Sequence, residues 1–426
     1  MGKVEVLWYT YSLMSFLSLG LSSDLLEAVK YAGYEKPTDI QEKAIPRILK
    51  GQDLIVQAKT GTGKTASFAL PVLQLLQNRG EGNKKVVKSL ILTPTRELAM
   101  QVEGVFKAYG RQLTHPLRTL ALIGGSNIDL QIRKLHHGAD IAIATPGRLL
   151  DLIKRGAIDL SFLKILVIDE ADKMFDLGFA EDLEAIMNVL PSVRQNLLFS
   201  ATISEKVTGL VQKFMRQPEL IKEEENTPAA EQIRQRAIEV NRNNRGPLLR
   251  HLIQTEKWEH VLIFVASVRA ADMLAVKLNK AGIKTESFHG GLTQAQRVSV
   301  LSSFKNKSIK VLVATDLASR GIDIDKLPYV VNYDLPRSSD DYVHRIGRTA
   351  RAGEPGTAVT FIGHEDRTHF LLIEKRLRMR LPRESVENFE LTGERLPKVT
   401  GKPPVKGTRM SKKDKARALA AREKEG

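Results

Sequence analysis

Apolar residues along this chain fall into two alternating arrangements. Short runs rich in Ile, Leu and Val recur at Asp53–Gln57, Ser89–Thr93, Asp140–Ala144, Lys164–Ile168 and Asn196–Ser200. Continuous apolar runs of this length read as strands buried on both faces, as in a parallel sheet. Between them, Arg96–Tyr109 and Ala180–Val189 read as helices. Alternating strand and helix predict an α/β doubly wound sheet, with the first domain ending near Leu220. The pattern lapses over Lys222–Ala230, a polar stretch interrupted by Pro228 that suits a linker. It then restarts with strands at His260–Val265, Lys310–Ala314 and Tyr329–Asn332 and a helix over Ala270–Ala281. After about Arg380 the apolar periodicity fades. The predicted division is an extension over 1–13, a first domain over 14–221, a linker over 222–232, a second domain over 233–380 and a basic, flexible tail over 381–426. Within the tail, Ser411–Lys424 has the composition of a basic helix that could lie on RNA.

The length of 426 residues suits two cores. A hydrophobic fraction of 42% with 27% charged residues describes a soluble globular chain. The absence of cysteine excludes a disulfide framework and thiolate metal sites, and fits a reducing, cytoplasmic setting. Residues 1–12 lack a charged segment followed by a long apolar run, so neither a signal peptide nor a membrane anchor is expected. The formal charge of +16 changes the picture more, because it predicts attraction to polyanions such as nucleic acid. Lys398–Gly426 carries ten basic and three acidic residues, yet the rest of the chain is still basic. Aromatic residues make up only 6%, so backbone binding without strong sequence choice is the expectation.

The chemistry is concentrated after two of the strands. Ala58, Lys59, Thr60, Gly61, Thr62, Gly63, Lys64 and Thr65 form a Gly-rich turn opening a helix. Backbone N–H groups in such a turn wrap phosphates, Lys64 reaches the β and γ phosphates of ATP, and Thr65 holds Mg2+. Ala58 stands where the general pattern has its first Gly. The apolar run ending at Ile168 delivers Asp169-Glu170-Ala171-Asp172 at its carboxyl end, where ligands of open α/β sheets bind. Asp169 suits Mg2+ binding through water, and Glu170 suits deprotonation of an attacking water.

These motifs, in this order, resemble those of the DEAD-box RNA helicases from Phe16 to about Leu377. The short basic tail looks most like the compact bacterial RhlE type. The resemblance implies two tandem RecA-like domains, each a mainly parallel sheet flanked by helices, with ATP hydrolysed between them. It implies a glutamine motif at Gly33–Gln41, in which Gln41 reads adenine, Tyr34 stacks on the base and Phe16 is the upstream aromatic. Thr38 also suits a helix cap, and Asp39 replaces a common proline. In the second domain, Arg348 and Arg351 of His344–Arg351 would be arginine fingers, with Ala350 in place of a frequent glycine. Asp323 would accept from the ribose and Arg320 order the catalytic water, Gly321 permitting the turn between them. Ser200 and Thr202 would bond the acidic tetrad, linking Asp172 and His344 to the closed state. RNA contacts are implied at Arg96, Gly125, Thr145 and Arg148 in the first domain, and at Arg297 and Thr315 in the second.

An RNA-stimulated ATPase that unwinds short duplexes follows, acting as a monomer in ribosome assembly or RNA turnover beside ribosomal-precursor or RNA-decay proteins. An ATP-gated RNA clamp and a DNA-translocating ATPase are the alternatives. Comparing RNA-dependent with DNA-dependent ATPase rates separates the last of these from the rest.

Overall fold

The computed structural model describes residues 16–58, 61–77, 86–223, 233–319, 324, 327–349 and 356–393. The 1–13 extension, most of the linker, the tail beyond residue 393 and the site residues Lys59, Thr60, Arg320, Asp323 and Arg351 lie outside them.

The first sheet contains β1 (Leu54–Gln57), β2 (Ser89–Leu92), β3 (Thr119–Leu122), β4 (Ile141–Ala144), β5 (Ile165–Ile168), β6 (Gln195–Ser200) and β7 (Glu219–Lys222). Their order is β3-β4-β2-β5-β6-β1-β7, and every pairing is parallel. The two-residue period of a strand sends alternate side chains to opposite faces. Accordingly Ile165 and Val167 join a core with Phe68, Phe106 and Phe199. Leu166 and Ile168 enter a second core with Leu149, Met174 and Ile186 on the other face. With both faces covered, each fully buried Leu or Ile contributes about 1.5–3 kcal/mol. This is why the strands read as unbroken apolar runs.

The second sheet repeats the plan with β8 (Ile233–Glu239), β9 (Val261–Val265), β10 (Thr285–Phe288), β11 (Val311–Thr315), β12 (Tyr329–Asn332), β13 (Gly356–Ile362) and β14 (Arg383–Glu384). The order is β10-β11-β9-β12-β13-β8-β14, again parallel throughout. Val261, Ile263 and Val265 face one core, and Leu262 and Phe264 the other.

Two boundaries shift from the sequence expectation. Strand β7 runs through Lys222, the first residue assigned to the linker. The second domain continues past residue 380: β14 pairs with β8, Arg383 forms an ion pair with buried Glu374, and Val386 and Phe389 pack on the core. A short, charged edge strand carries no apolar period, so its place in the sheet is set by these side-chain contacts.

Candidate active site at the domain interface

The site is assembled from strand ends. The turn after β1 leads to the helix Lys64–Gln77, where Lys64 is buried and Thr65 half-buried at the first positions. Gly63 has φ +85°, and a Cβ there would run into the Gln41 amide. Any side chain would therefore meet both backbone strain and a clash. Thr38 caps the helix Asp39–Leu49 in a reciprocal capping box with Gln41, and the Thr38 hydroxyl donates to the Thr62 carbonyl at 2.8 Å. Gln41 accepts from the Thr38 N–H at 3.0 Å and donates to the Gly63 carbonyl at 3.3 Å. The glutamine is thus both part of a helix cap and a tie to the phosphate loop. Tyr34 leaves 42% of its surface exposed while its hydroxyl accepts from Tyr109 at 3.1 Å. Phe16 is different: it is 1% exposed and packs in the first domain's core. An apolar ring with no polar handle gains most from burial, and Phe16 takes that place in the core instead of a face open to the base.

At the end of β5 the Asp169 N–H still donates to the Leu92 carbonyl, holding the chain to the sheet. Glu170 then turns left-handed, with φ 53° and ψ 50°, and the helix Ala171–Asp176 begins. A non-glycine residue held in that region costs of order 1–3 kcal/mol and is retained where the surroundings dictate it. The effect is to seat two carboxylates side by side. Burial pushes the Asp169 carboxyl above its ordinary range, against the pull of the nearby Lys64 ammonium. Burial also acts to raise Glu170, but the Lys173 and Lys64 ammoniums and the Arg348 guanidinium outweigh it and hold Glu170 below its usual range. Lys173 Nζ lies 2.6 Å from Glu170 Oε1, with both side chains buried.

Asp172 is fixed from β6. Its Oδ2 accepts from the N–H and hydroxyl of Thr202 at 2.9 and 3.0 Å, while its own N–H donates to Ser200 Oγ at 3.2 Å. The second domain closes over this edge. Lys173 shares a small crevice with Asp316, His344, Arg345 and Arg348. Burial, with help from the Lys173 charge, lowers the His344 pKa, so its ring is neutral near pH 7. The second domain's loop is itself braced: Arg345 grips both oxygens of Asp316 at 2.6 and 2.7 Å and donates to Asn332 at 3.0 Å.

A basic face lies beside the first sheet. Arg96 packs its guanidinium over Gly124 and Gly125, and Gly125 has φ +74° with no room for a Cβ beneath the arginine. Thr145 precedes the helix Pro146–Lys154 as its N-cap, its hydroxyl making no capping bond. Arg148 donates to the Ser126 carbonyl at 3.0 Å, but its Nε and Nη1 are buried without a partner among the described residues. Burial lowers its pKa, and the charges of Arg96 and Arg155 add to the effect against Asp151. The unmatched buried donors of Arg148, beside the Arg96 guanidinium, form a place for an anion. Thr315 ends β11, half-buried.

Arg297 is not presented there. It is 8% exposed, with Nε 2.7 Å from Glu97 Oε1 of the first domain and further bonds to the His289 and Ala318 carbonyls. The expected phosphate contact at Arg297 is therefore replaced by an interdomain ion pair. A buried guanidinium demands matched acceptors, and Glu97 supplies them. Glu97, Lys173, Asp316 and Arg345 were not among the residues the sequence singled out. The only hint for Lys173 was its i,i+3 spacing from Glu170.

The comparisons agree with this geometry. Residues 38–210 match the DEAD/DEAH box helicase family, and residues 245–353 match the helicase conserved C-terminal domain. The chain is 41% identical over 366 residues to the ATP-dependent RNA helicase CshA of Listeria monocytogenes, covering 86% of this chain and 69% of that one. It is 39% identical to the CshA of Geobacillus kaustophilus, covering 87% and 78%. Among solved structures, S. cerevisiae Dbp5 bound to RNA and ADP BeF3 aligns with a TM-score of 0.76 at 30% identity, covering 87% of this chain and 95% of that one. Mss116p bound to ssRNA and AMP-PNP aligns at 0.78 and 30% identity, covering 88% and 80%.

Proposed function

The chain belongs to the DEAD-box ATP-dependent RNA helicase family, and from that premise we propose how its own residues couple ATP hydrolysis to the local opening of short RNA duplexes. The observation that carries the proposal is the meeting of Lys64, Asp169 and Glu170 of one domain with Arg348 of the other in a single buried charge cluster.

ATP lies in the cleft with its phosphates on the loop before the Lys64 helix. Backbone N–H groups and the helix N-terminus face them, and Lys64 balances charge on the β and γ phosphates. The Thr65 hydroxyl and Asp169 fit Mg2+, since a buried carboxylate pushed toward protonation is stabilised by a cation. When bound, Mg2+ neutralises charge across the β and γ phosphates. Glu170 accepts a proton from the attacking water, and Arg348 stabilises the charge that develops on the transferring phosphoryl group. Arg351, Arg320 and Asp323 keep the finger, water-ordering and ribose roles that the motifs give them. The network Asp172–Thr202–Ser200, with His344 opposite, reports closure to the acidic tetrad.

Gln41 reads adenine when ATP enters, exchanging its tie to Gly63 for the base, on whose face Tyr34 packs. Gln41→Ala is expected to erode the preference for ATP over GTP about tenfold, the size of one lost bidentate contact. The KM values for both nucleotides check this. An equal rise for both would assign Gln41 to the phosphate loop alone.

Single-stranded RNA runs over the first domain's basic face, with Arg96, the Gly125 backbone, Thr145 and Arg148 on its phosphates and Thr315 continuing the path in the second. Arg148→Ala is expected to weaken RNA binding about tenfold regardless of sequence and to lower the salt slope by roughly one. RNA titrations at several salt concentrations read both quantities. An unchanged slope would move the phosphate path elsewhere.

The finer setting, a compact bacterial RhlE-like type acting as a cytoplasmic monomer in ribosome assembly or RNA turnover, is proposed from the motifs and the basic tail. The experiment for the whole reading is the ATPase rate without nucleic acid, with single-stranded RNA and with matched DNA, beside strand separation of a short RNA duplex. RNA-specific stimulation with strand separation supports it. Tight ATP-dependent RNA binding with little turnover would replace it with an ATP-gated clamp.

A further inference from the structure

We propose that Lys173 is a positioning residue for ATP hydrolysis: its ammonium holds one carboxylate oxygen of Glu170 so that the other faces the attacking water. The inference rests on Glu170 being the group that receives the water proton.

The two oxygens of Glu170 differ. Oε1 is bonded to Lys173 Nζ at 2.6 Å, and both side chains are only 6% exposed. Oε2 is equally inaccessible and has no hydrogen-bond partner among the described residues. Leaving a buried carboxylate oxygen unmatched is costly. Such an arrangement persists where a ligand or reacting water completes it, and here the open oxygen belongs to the residue beside the Mg2+-binding carboxylate. Without a clamp, a glutamate rotates about its terminal torsion, which is broad and nearly two-fold. Either oxygen, in a range of orientations, would then face the cleft. The Lys173 bond removes that freedom in advance of the reaction, which is how precise positioning lowers a barrier.

Lys173 is itself positioned. It lies one turn of helix beyond Glu170, so the left-handed Glu170 backbone and the first helical turn bring Nζ back over the carboxylate. Its crevice is shared with Asp316, Asp341, His344, Arg345 and Arg348 of the second domain. A neutral His344 spares Lys173 a further positive neighbour. Glu170 is the carboxylate to which Lys173 is bonded, at 2.6 Å, so it is this contact that orients the base. Second-domain residues line the crevice beside the pair, and both side chains are buried there.

The test uses the full chain with saturating single-stranded RNA. Lys173→Met, close in volume, is expected to lower kcat for ATP by roughly tenfold to a hundredfold, within the range of a misplaced general base. The KM values for ATP and RNA should stay within about twofold. Lys173→Arg should recover most of the rate, because a guanidinium also donates to Oε1. In a Glu170→Gln background the same Lys173→Met change should cost nothing further in single-turnover hydrolysis, since there is no base left to orient. Thermal melting of each variant reports whether the fold is retained. A Lys173→Met chain that hydrolyses as fast as the parent or faster overturns the proposal. So does an equal loss in the Glu170→Gln background, which would make Lys173 a structural support. Should Glu170→Gln itself turn over normally, the general-base assignment fails first, and that result is separate from the Lys173 outcome.

Discussion

Glu170→Gln is expected to reduce RNA-stimulated ATP turnover by about a hundredfold or more while ATP and RNA remain bound. The amide has the shape of the carboxylate but takes no proton, so the loss is the contribution of a positioned general base, roughly 10²–10⁴-fold. Its oxygen can still accept from Lys173, and the fold should lose no more than about 1 kcal/mol, the worth of a weakened hydrogen bond. The left-handed backbone at Glu170 is kept, because glutamine meets the same steric demand as glutamate. With hydrolysis blocked and both ligands retained, the closed state should accumulate. Slow dissociation of labelled RNA in the presence of ATP is the measurement. Turnover near that of the parent would remove Glu170 from its role, and rapid RNA release would separate closure from hydrolysis.

Arg348→Ala is expected to have an effect of similar or greater size from the other side of the cleft. Guanidinium groups directed at a transferring phosphoryl contribute about 10³–10⁵ in related phosphoryl-transfer enzymes. A thousandfold fall in kcat is the expectation here. Binding of ATP to the first domain should change only a few-fold, since the phosphate loop and Lys64 are on that domain. Arg348 is also among the charges that hold Glu170 ionised. Its removal therefore lets the Glu170 pKa rise as well as removing the charge stabilisation, and the two effects need not add. Arg348→Lys should recover little, because an ammonium does not reproduce the planar fork of donors. Nucleotide affinity measured beside single-turnover hydrolysis separates binding from chemistry. A loss below tenfold would pass the main role to Arg351.

The central strands of the first sheet, β9, β11 and β12 of the second, and the nucleotide loop were legible from residues alone, whereas the interior strands β8 and β13 were not. Unbroken apolar runs such as Ile165–Ile168 are what a strand buried on both faces requires, and they end where ligands bind. The strands at the sheet margins were not legible. Thr119–Leu122 has only its last residue fully buried. Arg383–Glu384 has no apolar residue at all, and Glu219–Lys222 buries only Ile221. Their places come from pairing with a neighbour already in the sheet, which no local pattern encodes. Motif residues were likewise easier to find than to assign. Phe16 and Arg297 carry the chemistry of ligand contacts, yet one is core and the other joins the domains. A side chain's type shows what it can do, whereas burial and available partners decide what it does.

The parallel topology also sets a timetable for synthesis. Among the described residues, strand β1, which leads into the phosphate loop, pairs with β6 and β7, whose paired residues follow it by about 140 residues or more. At translation rates of about 5–20 residues per second, roughly 7–30 seconds separate the emergence of that strand from that of its first partner. During this interval, residues that will form the ATP site have no sheet to support them. Non-local pairing of this kind is slow to form and leaves apolar strands exposed meanwhile. The second domain has the same delay built in, since β8 waits for β13, more than a hundred residues later. Each half of this ATP-driven machine completes its sheet only near the end of its own synthesis.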